Sequence, residues 1–265
     1  MSKNELKIGI QADLSIFTDT MVEMTWEKVK ESAEKGDIVL FPIGIIEEHG
    51  PHMDLSPDIY CAYLFCKFLR QKLFQKNINS IIAPPCYWGI GNDTKKYPGT
   101  FSLRPETFKA LLVDIFNSLN SWGFKYVFVV NAHGDPTHVD VIEQSIKESN
   151  ENTNMQVFYN VGNFDIPVNN PPSFPLPRED RYEPDYHAGA VETAVINTFY
   201  PQKVNKNLAK DLKPQDTFDP LGYCGDPANF IKEKTIVEFW EADLEMDSLK
   251  IEAIIKNGKI SVSKN

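Results

Sequence analysis

KYVFVVNA, residues 125–132, is the stretch on which the reading of the fold turns. Tyr126 to Val130 are β-branched or aromatic without interruption, the pattern of a strand buried on both faces rather than one with a wet side. On either side lie helical stretches. Pro105 to Trp122 has Pro and Glu in its first turn and Gly123 just past its end, and Pro136 to Ser149 follows the strand. DIVLFPIG (37–44), SIIAP (80–84) and MQVFYNV (155–161) read as further strands. Residues 57–76, with Pro first and Lys/Arg late, and residues 188–200 read as helices. This alternation predicts an α/β fold, a three-layer α/β/α arrangement on a mainly parallel sheet, with any site beyond the carboxyl ends of the strands. Two segments fall outside it. KIEAIIKNGKISVS alternates around Asn257-Gly258 and predicts a terminal hairpin. Residues 163–186 hold six prolines and read as a long ordered loop or flap.

The chain has 265 residues, with 27 basic and 37 acidic side chains, a net charge of −10. An acidic chain without Lys/Arg clusters argues against nucleic acid and anionic membranes as partners. Four cysteines without a CxxC pair suit a reduced, intracellular protein. The start, MSKNELKIGIQADLSIF, lacks a secretory pattern, and no apolar run approaches the ~20 residues of a membrane span, so a cytoplasmic location is expected.

All five histidines fall in three short stretches, EEHGPH (47–52), NAHGDPTH (131–138) and DYHAGAVET (185–193). Taken singly, each has a plain structural reading: a solvated loop, a helix cap and an ordinary helix start. Taken together, they place His and carboxylate groups at places that a parallel sheet brings together, and such convergence from separate segments is what a divalent cation requires. Glu47 and His49, two apart, point the same way in an extended segment, and Asp58 returns from the next helix start. One Asp carboxylate has two oxygens and can bridge two ions ~3.5–4 Å apart, as in two-metal hydrolytic sites. His52 and His138 read as supporting or surface groups, with Asp54 and Asn131 as further groups able to orient ligands. Trp88, in YWGIGND, is a candidate for the pocket wall.

These motifs resemble the creatininase (creatinine amidohydrolase) family. IGIIEEHGPHMDLSPD (43–58) resembles its apolar strand, Gly and E-x-H-G-P-H, with Asp58 nine residues after His49. VVNAHGD resembles its V-N-G-H-G stretch, HAGAVET its H-A-G-x-x-E-T stretch and YPGTFSL (97–103) its P-G-T segment, in order over roughly residues 25–200. The resemblance implies one domain over residues 1–265 with a compact α/β fold and a binuclear metal centre. It also implies a small-molecule substrate and a homo-oligomer, typically a hexamer, that hydrolyses non-peptide C–N bonds of cyclic or linear amides. Carried over, Glu47, His49, Asp58 and His133 match metal ligands, with Asp58 as the bridge, and His187 matches the catalytic His. The second metal is completed by Glu192 or by Asp135, which stands where creatininase has a Glu; Glu192 is favoured. The ligand types suit Zn²⁺ or Mn²⁺, with Fe²⁺ also admitted. The 163–186 loop contains no Trp, unlike the mobile loop of creatininase, and offers Tyr182 instead, which points to a small amide or lactam other than creatinine. The expected mechanism is attack by a metal-bound hydroxide with His187 as general acid. The alternatives are a metal-dependent isomerase or lyase on the same fold, or a non-catalytic metal-binding assembly protein.

Overall fold

A computed structural model describes residues 15–163, 166–174, 183–230 and 233–257. Helix α1 (Trp26–Lys35) leads into strand β1 (Ile38–Ile43); α2 (Pro57–Gln75) precedes β2 (Ser80–Ile82), and α3 (Pro105–Ser121) precedes β3 (Tyr126–Asn131). Then come α4 (Pro136–Asn152), β4 (Gln156–Tyr159), α5 (Ala190–Phe199), the short α6 (Lys206–Asp211) and the long α7 (Glu233–Asn257). The four strands form one parallel sheet in the order β2-β1-β3-β4.

Successive side chains on a strand point to opposite faces, and both faces are covered here. From β1 and β3, Val39, Phe41, Ile43, Val127 and Val129 meet α3 and α4 through Leu112, Phe116, Ile142 and Ile146. On the other face Ile38, Leu40 and Phe128 meet α2 and α7 through Leu69, Leu73, Leu244, Ile251 and Ile254. The continuous apolar runs of β1 and β3 are therefore the signature of double burial.

The expected C-terminal hairpin is corrected. The stretch through Asn257 is the last part of α7, and Gly258 onwards lies outside the described residues. Leu244, Ile251 and Ile254, spaced seven and three apart, share one helical face, and burial of that face on α2 and the sheet overrides the local alternation. No helix among the described residues is long and apolar enough to cross a membrane.

Register sets the site. Ile43 pairs with Asn131, and Ala132 N donates to Ile43 O (3.2 Å), so β1 and β3 release their following loops side by side at the carboxyl edge. At that edge Gly44 lets α2 approach: a Cβ there would lie 2.9 Å from the backbone C of Asp58 and N of Ile59. Asp58, in the first turn of α2, is thereby packed against the end of β1.

Candidate metal centre

Past β1 the chain stays extended, with Ile46 N donating to Tyr87 O (3.2 Å) and Glu47 N to Leu55 O (3.3 Å). Glu47 and His49 consequently enter the same interior space, 1% and 0% exposed. His133 follows β3 by two residues, and Asn131 steadies its backbone by donating from Nδ2 to His133 O (2.6 Å). His187 is pinned by backbone hydrogen bonds in both directions with Cys224 (3.2 and 2.8 Å). Just behind it Asp185 caps α5 by accepting from Ala190 N (2.8 Å) and Val191 N (3.1 Å), which orients Glu192 in the first turn.

The side chains meet. His133 Nδ1 lies 2.9 Å from Glu47 Oε1 and 3.0 Å from Asp58 Oδ2. His49 Nε2 lies 3.2 Å from Asp58 Oδ1 and 3.8 Å from Glu192 Oε2. His187 Nδ1 lies 3.8 Å from Glu47 Oε1. Asp58 thus turns one oxygen to each of two histidines. Three overlapping sets have donor atoms within 4.8 Å of one another: Glu47, Asp58 and His133; His49, Asp58 and Glu192; Glu47, His49 and His187.

The other ring nitrogens tell which way each imidazole faces. His133 Nε2 is 2.8 Å from Ile90 O, His49 Nδ1 3.2 Å from Glu47 O, and His187 Nε2 2.8 Å from Glu48 O. A carbonyl only accepts, so these nitrogens carry the protons, and in the neutral ring the opposite nitrogen is a bare lone pair. Each lone pair then faces carboxylate oxygens, which is repulsive unless a cation stands between them. Glu47 Oε1 and Asp58 Oδ2 are buried and accept no hydrogen bond. Buried orphan anions facing imidazole lone pairs, each imidazole held from behind by a backbone carbonyl, form the oxygen-and-nitrogen donor set that Zn²⁺, Mn²⁺ or Fe²⁺ takes. The residues fit such ions.

Without an ion, protons supply the positive charge. Burial lowers the His49 pKa, but the Asp58 carboxylate overrides it and lifts it to about 10. Burial likewise opposes charge on His133, and Asp58 and Glu47 raise its pKa well above the usual value. Burial pushes the Asp58 carboxyl up, yet His49 and His133 hold it well below the usual range. Two of the other three histidines behave oppositely: burial lowers His52 to about 4 and His138 to about 3. Both stay neutral and support. His138 Nδ1 accepts from Ile90 N (3.2 Å), the residue whose carbonyl holds His133, while His52 Nε2 meets Thr193 Oγ1 at 2.9 Å.

The donor sets floor a cavity of ≈ 320 Å³, with Asp93, Tyr186 and Phe218 on its walls. A larger apolar groove between α1 and α3 carries no such donors. Two candidates stand apart from the donor sets. Asp135 lines the cavity, but its carboxylate is committed to the backbone: Oδ1 accepts from Thr137 N (2.8 Å) and His138 N (3.1 Å), Oδ2 from Asn92 N (2.7 Å). It is the N-cap of α4 and belongs to none of the three donor sets. Trp88 is not among the lining residues; its ring packs on Tyr87 (5.1 Å) and Phe101 (5.5 Å) at the surface. Tyr182 lies outside the described residues. Sequence reasoning missed Thr94, which donates to Glu47 Oε2, and Glu48, which lies beside His187.

A family model described as Creatininase, creatinine amidohydrolase, matches residues 22–238. This chain belongs to the creatininase family. It is 24% identical over 252 residues to the creatinine amidohydrolase of Pseudomonas putida, spanning 88% of this chain and 92% of that one. A mycofactocin precursor peptide peptidase of Mycobacterium ulcerans is 25% identical over 146 residues, 54% of this chain and 53% of its own length. A solved creatininase described as a manganese form superposes with a TM-score of 0.58 at 21% identity, covering 90% of this chain and 98% of that one, and shows the shared creatininase fold.

Proposed function

We propose that this creatininase-family chain is a binuclear metal-dependent amidohydrolase that cleaves a C–N bond in a small amide. The observation that carries this reading is Asp58, whose two oxygens face His133 and His49 in two separate donor sets. Glu47, Asp58 and His133 would hold one divalent ion and His49, Asp58 and Glu192 the other, as zinc, manganese or iron(II). When bound, such a pair supplies Lewis acidity to a carbonyl oxygen and lowers the pKa of water at the site.

The chain's own groups do the rest. His187 Nε2 is anchored on Glu48 O, so Nδ1 is the atom that faces the cavity, where its lone pair takes up a proton from the attacking water and then hands it to the leaving nitrogen. Phe218, with its ring 5.4 Å from the His187 ring, lines the cavity beside it. Thr94 and Ile90 fix Glu47 and His133 before substrate arrives. A cavity of ≈ 320 Å³ accommodates a small molecule or the end of a short peptide. The peptide peptidase among the relatives supports including peptides in the substrate class, which widens the original expectation of non-peptide amides. A homohexamer in the cytoplasm is carried as part of this reading.

The test is elemental analysis of the purified chain, with activity assays on creatinine, formamides, lactams and short peptides and with sedimentation for assembly. Two divalent ions per chain and release of an amine or of formate support the reading. A chain that retains no metal, or that converts a substrate to an isomer without releasing amine, overturns it.

A further inference from the structure

Between the candidate ligands Glu47 and His49 stands a third acidic residue, Glu48, only 7% exposed. Its backbone is held by donation from Glu48 N to Thr100 Oγ1 (3.1 Å). Its carboxylate stands between two donors. Oε2 accepts from Gly50 N (2.9 Å), and Oε1, which accepts no hydrogen bond, lies 3.4 Å from His187 Nε2. The same Nε2 is 2.8 Å from the Glu48 carbonyl oxygen. One residue therefore presents two oxygens, one from its backbone and one from its side chain, to a single ring nitrogen of His187.

We propose that Glu48 is a positioning residue that fixes the ring and tautomer of His187, a role that rests on the reading of His187 as the group that relays a proton to the leaving nitrogen. A bare Nε2 would set its lone pair against two oxygens at once; a protonated Nε2 donates to the carbonyl and brings its positive hydrogen near the carboxylate. The proton is thereby kept on Nε2, and Nδ1 is left free toward Glu47 and the cavity, where proton transfer is needed. The carboxylate suits this place as a neutral amide does not. Both of its oxygens face N–H donors, and the Gly50 N–H is fixed in the backbone. In Glu48→Gln the amide oxygen goes to Gly50, and the NH₂ is turned on the His187 Nε2–H, donor against donor. Relief comes by moving the ring proton to Nδ1 or by rotating the ring.

The experiment is a long-range proton–nitrogen NMR spectrum of the zinc-loaded full chain, with ¹⁵N only in histidine, at mildly alkaline pH. His187 is assigned by its loss in His187→Ala. The expected native pattern is a single tautomer protonated at Nε2. In Glu48→Gln the His187 signals shift toward the Nδ1-protonated form, while zinc content and the other four histidines stay unchanged. Glu48→Ala, which removes the carboxylate without adding a donor and keeps the backbone carbonyl, gives His187 a measurable share of the Nδ1-protonated form and serves if the Gln variant does not fold. A His187 pattern in both variants identical to the native one overturns the proposal, because the backbone carbonyl alone would then set the tautomer. Loss of zinc with altered His49 and His133 signals also overturns it, because Glu48 would then serve the ligand loop. The spectrum reads the ring and not turnover, so this proposal and the hydrolase reading fail separately.

Discussion

His133 Nδ1 stands 2.9 Å from Glu47 Oε1, while on the far side of the same ring Nε2 lies 2.8 Å from the Ile90 carbonyl oxygen. The ring is thus held from behind and aims its other nitrogen at a buried carboxylate. Removing it in His133→Ala deletes one donor and leaves Glu47 and Asp58 as buried anions facing each other. At least one equivalent of metal should be lost, with turnover. The metal-free chain should also unfold about 3 kcal/mol or more too easily, as when one partner of a buried ion pair is deleted. His187→Ala should keep its metal and lose turnover. Elemental analysis and urea unfolding of both variants check this; a His133→Ala chain with full metal content would refute it.

The histidine charges predict how stability depends on pH when metal is stripped. An unfolded His titrates near 6.5. Buried His49, held charged by Asp58, titrates at about 10 in the folded chain, and His133 is shifted the same way. A raised histidine stabilises fully below its unfolded pKa, and that contribution is lost as pH rises through the folded value. The chelated protein should lose stability progressively between about pH 7 and 10. With metal bound, the ion takes the place of these protons, and that alkaline limb should flatten. Urea midpoints with and without chelator, measured across this range, decide the matter.

Support behind the ligands can be broken without touching one. A Cβ on Gly89 would sit 2.5 Å from His138 Cε1 and Nδ1. His138 is stacked on Phe108 at 4.6 Å and has little room to retreat. Gly89→Ala should therefore displace the acceptor of Ile90 N and, through Ile90, the carbonyl that holds His133. The expected cost is about 1–3 kcal/mol of stability, typical of overpacking, together with weaker metal affinity. Calorimetric zinc titration of the variant reads the second effect, and unchanged affinity would show that His133 does not depend on this chain of contacts.

Much of this was legible in the residues because it is local. The run Tyr126 to Val130 announces a doubly buried strand, and the clustering of every histidine near strand ends or a helix start announces convergence. What escaped depends on partners far away in sequence. Glu48 reads as a plain loop acid until His187, 139 positions later, is laid against it. The hairpin expected at residues 250–263 failed because apolar residues in that stretch satisfy a period of two locally and of 3.6 over the longer span. Only the packing partners on α2 and the sheet choose between them. The capping role of Asp135 was also legible, since an Asp immediately before a Pro is an N-cap followed by N1.

Asp135 and Glu192 therefore make opposite predictions. The Asp135 carboxylate spends both oxygens on three backbone N–H groups, those of Asn92, Thr137 and His138. Asp135→Ala should cost about 1 kcal/mol as a lost cap, with metal content preserved. Glu192 accepts from Ala188 N (2.5 Å) and sets the same Oε2 3.8 Å from His49 Nε2, beside Asp58. Burial raises its pKa while His49 pulls it down, so its charge is tied to whatever cation sits there. Glu192→Ala should lower the metal content by one equivalent, and Glu192→Gln, with the same shape and no charge, should do so too. Elemental analysis of the three variants separates the cases. If Asp135→Ala loses an ion while Glu192→Gln keeps both, the second site is built on the α4 cap and not on α5.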